Sequence, residues 1–117
     1  MENFGNQSKS YLSELVRLNK YNLIACGQEQ LTVAGTAVGL SSIPVDAKYA
    51  LIEVESSITT PAIRYFELGA NTLPTSSLGI RRSDTEAFDI TGRPNLINFR
   101  AIQISAGTHK LNIQYYK

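Results

Sequence analysis

The sequence predicts an all-β fold: an antiparallel β-sandwich or jelly-roll-like body with a short N-terminal helical arm. Three observations carry that expectation. Turn signals built on Gly, Pro, Ser and Thr recur at roughly eight- to twelve-residue intervals through the later part of the chain. Between them, apolar and polar residues alternate with the period of two that a half-buried strand requires. A helical apolar period is concentrated near the N-terminus. The chain therefore divides into an arm, residues 1–28, and a body, residues 29–117.

In the arm, Tyr11, Leu15 and Leu18 recur at i, i+4 and i+7 beside Leu12 and Val16, an apolar stripe about two turns long. This predicts an amphipathic helix from Ser10 to Tyr21. Ser10 can cap it, Glu14 and Lys20 suit the macrodipole, and Asn22 can end it. So short a helix is marginal alone in water, so it requires a surface, either its own body or a neighbouring molecule. The run Leu23 to Cys26 then reads as a buried connector or strand, with Cys26 a small buried hydrophobe.

The body follows in order. Leu31 and Val33, then Val38 and Leu40, flank Ala34-Gly35-Thr36 and predict a hairpin. A loop over residues 41–46 leads to the firmest strand, with Ala50, Ile52 and Val54 on one face and Tyr49, Leu51, Glu53 and Glu55 on the other. Thr60-Pro61 breaks the chain before a strand from Ala62 to Leu68, in which Ile63 and Tyr65 share a side. Residues 69–79 (GANTLPTSSLG) form a long polar loop, a natural place for contacts. Ile80 to Ser83 is a short strand, and Phe88 and Ile90 mark another that ends at Thr91-Gly92-Arg93-Pro94. From Leu96 to Ser105 the apolar parity switches, which predicts a bulge near Arg100 to Ile102. After a turn at 105–108, Leu111, Ile113 and Tyr115 alternate cleanly with polar neighbours, so the chain closes on a core strand.

Composition narrows the chemistry. Eleven Lys and Arg against ten Asp and Glu leave no basic excess for a phosphate backbone, so nucleic acid is not an expected ligand. One cysteine and one histidine cannot assemble a Cys/His metal cluster or an internal disulfide, and no cofactor is expected. No stretch reaches the roughly 20 apolar residues of a membrane span, and MENFGNQSKS lacks the pattern of a secretory signal.

Glu53 and Glu55 lie two apart on one strand face, about 7 Å by strand rise, which overlaps the carboxylate spacing of inverting glycosidases. A solvated strand face explains them more simply. His109 adjoins a turn and has no assignable nucleophile or carboxylate, so it reads as a surface histidine; no catalytic constellation emerges, and no enzyme is expected. Candidate subunit contacts are Tyr49, Leu51 and Tyr116, on otherwise polar strand faces, and Arg81 and Arg82, in a charge-balanced patch with Asp84 and Glu86.

Residues 31–117 resemble small β-sandwich virion proteins of bacteriophages. The likeness rests on LTVAGTAVGL, the strand ALIEVE, IRY followed by the PTSSLG loop, the ITG turn, the NFRAI strand and the closing LNIQYY, in that order. It implies a non-enzymatic subunit of capsid-decoration, head-fibre or vertex type, assembled into virions in the host cytoplasm. Its implied partners are major capsid or other virion proteins and further copies of itself, as a trimer or pentamer. Residues 57–61 are an insertion relative to the simplest members, and the N-terminal segment is longer. Tyr11, Leu12, Leu15, Val16 and Leu18 are then the expected anchoring contacts. The alternative is a carbohydrate-binding module on a spike or fibre that uses the 69–79 loop.

Overall fold

The computed structural model describes residues 22–117. The helix expected from Ser10 to Tyr21, with its five anchoring residues, lies outside them. The described chain is predominantly β: β1 (Ala25–Thr32), β2 (Tyr49–Ser56), β3 (Ile63–Phe66), β4 (Ile80–Arg82), β5 (Ala87–Thr91), a short helix α1 (Arg93–Asn98), β6 (Arg100–Gln103) and β7 (His109–Tyr116).

Two antiparallel sheets form, one in the order β1-β7-β2-β5 and the other β4-β3-β6. β7 and β2, each paired on both edges, form the centre of the larger sheet, and each turns an alternating apolar set inward: Ala50, Ile52 and Val54 on β2, and Leu111, Ile113 and Tyr115 on β7. Register pairs Ile52 with both Phe88 and Ile113, which keeps the apolar set on a single face. The smaller sheet contributes Ile63, Tyr65 and Ala101 to the same buried cluster. Tyr65 stacks on Phe88 at 4.7 Å and lies 5.4 Å from Phe99, so aromatic rings from the two sheets meet in the core.

The expected hairpin over residues 31–40 does not form. Leu31 and Val33 are buried on the larger sheet, where β1 pairs with β7 and the Val33 N–H donates to the His109 carbonyl. Val38 instead bridges Ala101 on the smaller sheet. Alternation reports which face of a segment is covered, and two segments with the same alternation can belong to different sheets.

The strand expected from Leu96 is also corrected. Pro94 stands at the start of α1, where its missing N–H costs nothing, and Leu96 is the residue that α1 buries. The parity switch that predicted a bulge near Arg100 is the passage from helix to strand. The observed register shift lies in β1, where Ala25 pairs with Tyr116 and Gly27 with Tyr115, leaving Cys26 as the extra residue. Cys26 is half-buried rather than buried.

Candidate functional site

Strand parity sorts the outward side chains of the larger sheet into rows. Thr32, Lys110 and Glu55 make one, Gln30, Asn112, Glu53 and Ala87 the next, and Gln28, Gln114, Leu51 and Asp89 a third. The middle row is tied together: the Gln30 amide donates to Asn112 Oδ1 at 2.8 Å, and Asn112 Nδ2 faces Glu53 Oε1 at 3.4 Å and Glu55 Oε1 at 3.1 Å. Both glutamates are exposed. Because the short Ala87 stands beside longer neighbours, an open depression of about 310 Å³ forms, lined by Gln28, Leu51, Glu53 and Asn112 among others.

Three of the predicted contacts meet on this face. Tyr49 and Tyr116 are cross-strand partners with rings edge to face at 5.4 Å, and Leu51 follows on the same side. Tyr49 is nevertheless only 5% exposed, contrary to its reading as an exposed aromatic. Its hydroxyl donates to Asp89 at 2.8 Å, and burial, reinforced by that carboxylate, pushes the phenol well above its usual range. Leu51 and Tyr116 are half-buried.

Arg81 and Arg82 lie elsewhere, on β4 of the smaller sheet. Arg81 is exposed, whereas the Arg82 guanidinium sits 5.1 Å from the Phe88 ring centroid and 5.9 Å from that of Tyr65.

His109, expected at the surface, is fully buried. Its Nε2 lies 2.8 Å from the Ser105 carbonyl and its Nδ1 2.8 Å from Ser56 Oγ. The ring thereby pins the 105–108 turn to the end of β2.

Sequence reasoning missed a second polar centre. Glu29 is buried and accepts from Ser41 N–H, Ser41 Oγ at 2.6 Å, Ser42 N–H at 3.0 Å and the Tyr115 hydroxyl. Burial alone would raise its pKa, but these donors outweigh it and hold the carboxyl below its usual value. Alternation put Glu29 on the same face as Leu31, and that mismatch was the available signal. Glu67 moves the other way, raised by burial and by the nearby Asp89 charge.

Large apolar side chains are exposed in a separate region. Leu68, Leu73 and Leu78 fall within the loop that joins β3 to β4, Ile80 opens β4, and Ile97 on α1 joins them. A hydrogen bond from the Gly69 N–H to the Asn98 carbonyl brings the start of this loop against the end of α1. The sequence marked residues 69–79 as a contact loop for their polarity, whereas its leucines are the exposed feature. Among the described residues no group of three His, Cys, Asp or Glu side chains gathers as a metal set, and no helix is long and apolar enough to cross a membrane.

No family model, curated protein or solved structure matches this chain.

Proposed function

We propose that this chain is a structural subunit of a bacteriophage virion, a shell-decorating, vertex or head-fibre protein. Its two sheets make a jelly-roll-like β-sandwich body, and the N-terminal arm that precedes β1 binds neighbouring capsid or other virion proteins through Tyr11, Leu12, Leu15, Val16 and Leu18; residues 25–28, first counted with the arm, belong to the body as the start of β1. Copies associate as a closed trimer or pentamer, and the role is structural rather than catalytic.

The observation that carries this reading is the exposed set Leu68, Leu73, Leu78, Ile80 and Ile97. Single exposed apolar residues are ordinary, but four within thirteen residues, joined by a fifth across the Gly69–Asn98 contact, fit a surface covered by neighbours. The ordered motif likeness over residues 31–117 supports the same class. A carbohydrate-binding role finds less support, because the 69–79 loop offers leucines and no aromatic ring for a sugar to stack on.

Immunogold electron microscopy tests the proposal, with antibodies against the body applied to particles from cells that make the full chain. Labelled intact particles are expected, with label lost in a Leu15→Asp, Leu18→Asp double variant. Unlabelled particles beside abundant free protein would overturn the assignment; label unchanged in the variant would overturn the anchoring role of the arm.

A further inference from the structure

The near-neutral net charge conceals a division between the two sheets. Among the described residues on the outward face of the larger sheet, Glu53, Glu55 and Asp89 stand against Lys110 as the only cation of its strands. The smaller sheet is the reverse. Its strands IRYF, IRR and RAIQ contain four arginines and no acid. Register places Arg64 opposite both Arg81 and Ile102, and Phe66 opposite Arg100, so three guanidinium groups share a face with two half-buried apolar side chains.

Of the acids that follow these strands, Asp84 accepts from the Ser56 N–H at 2.9 Å and Glu86 accepts from the Ser83 N–H, while Glu67 is half-buried and lies near the like charge of Asp89. Arg64 leans on the carbonyls of Gly79, at 2.8 Å, and Ser76, at 3.2 Å. Arg100 does the same with Ile97 and Phe99, which leaves Arg81 the most exposed of the three. Like charges directly opposite on a sheet destabilise it, so the Arg64–Arg81 pair is a local cost that an external anionic surface would relieve.

We infer that the arginine face of one copy pairs with the carboxylate face of a second copy of this chain. Both faces point away from the shared core, on opposite sides, and carry opposite charge. Phe66 and Ile102 on one and Leu51 on the other supply an apolar centre inside a charged rim. The contact is heterologous and, with its two halves on opposite sides, builds open rows rather than small closed rings. It is thus distinct from any ring formed through the arm and does not depend on the virion assignment. A patch about 10 Å wide across three strands is small beside the about 800 Å² that each partner buries in a standard interface, so one such contact is weak and acts through repetition.

Sedimentation velocity and native mass spectrometry of the full chain, at concentrations up to roughly 500 µM, provide the test. Wild-type mass should rise with concentration and fall back as salt shortens the electrostatic range. Glu53→Lys/Glu55→Lys, which reverses one face, and Arg81→Glu, which weakens the other, should each reduce self-association at least tenfold while circular dichroism stays unchanged. Glu53→Lys alone serves if the double variant misfolds. An equimolar mixture of the two variants should give one-to-one dimers, because each keeps the face the other lacks. Wild-type association indifferent to salt and to both variants, or failure of the mixture to pair, would overturn the inference. So would a monomeric wild type that binds heparin or nucleic acid through Arg81, which would give the basic face to an anionic polymer. Immunogold labelling is independent of all these outcomes, so the two proposals fail separately.

Discussion

The Tyr115 hydroxyl, on β7, donates to the carboxylate of Glu29 on β1, inside the buried face of the larger sheet. With Ser41 and Ser42 on the same carboxylate, this contact ties the loop after β1 to the two strands beneath it. Because the folded pKa lies below the ordinary 4.5, ionised Glu29 contributes stability that is full above that value and is lost as pH falls through the folded pKa. Glu29→Gln should cost about 1–3 kcal/mol at pH 7, since its NH₂ group would face donors. Urea denaturation should show the gap from wild type narrowing below the ordinary carboxylate pKa of 4.5. Parallel pH curves for the two proteins would remove the carboxylate from this role.

His109 is held at both nitrogens. A carbonyl can only accept, so Nε2 carries the proton that Ser105 receives, and Ser56 can donate to Nδ1. His109→Ala should destabilise by roughly 2–4 kcal/mol through the cavity and the abandoned partners. Ser56→Ala, which removes the bond to Nδ1 and the one the hydroxyl accepts from the Ile58 N–H, should cost about 1–2 kcal/mol. Thermal melts of the two variants check the order, and nitrogen chemical shifts of the ring report the position of the proton.

What the sequence revealed followed from burial. The period-two pattern located β2, β3, β5 and β7, grouped Ala50, Ile52 and Val54 on one face and Ile63 and Tyr65 on one side, and made the Leu111, Ile113 and Tyr115 strand a core strand; all eight are buried, because burial of alternate residues is itself the signal. Pairing was not legible. Val33 and Val38 looked like two arms of one hairpin, yet their partners, His109 and Ala101, are remote in sequence.

Polar burial was hidden for a related reason. Glu29 and His109 are hydrophilic by type and are accommodated only because Ser41, Ser42, Ser56 and Ser105 converge on them, and such convergence depends on the folded topology. At the candidate interaction faces the sequence picked out Arg81 and Tyr116 individually. Only the register showed that Arg64, Arg81 and Arg100 share a sheet face apart from Tyr116.

The geometry of the β3–β4 loop depends on Gly79, whose φ of +136° lies outside the range of ordinary side chains. A Cβ there would lie 3.0 Å from the Arg64 Cβ and 3.2 Å from the Pro74 Cβ. Gly79→Ala should therefore cost roughly 2–3 kcal/mol from strain and crowding together. Gly35 is the matching control, since its added Cβ would meet only the Gln103 side chain, at 3.6 Å. Gly35→Ala should leave stability unchanged or raise it by up to about 1 kcal/mol. Equal losses at both positions in chemical denaturation would refute the strain argument.

Leu73 and Leu78 separate folding from assembly. They are 45% and 56% exposed, so replacing both with serine gives up only part of what each side chain buries in the folded chain. Stability should fall by no more than about 1–2 kcal/mol. If neighbouring molecules cover this loop, the same change deprives the contact of its apolar surface, and burying polar hydroxyls there adds a desolvation cost. On the virion role proposed above, Leu73→Ser/Leu78→Ser should then stay folded, with a cooperative melt, yet be lost from particles, as quantified by mass spectrometry of purified virions from cells that make the variant. Retention at the wild-type level would mean that the exposed leucines face solvent on the particle and that the attachment surface lies on another part of the chain.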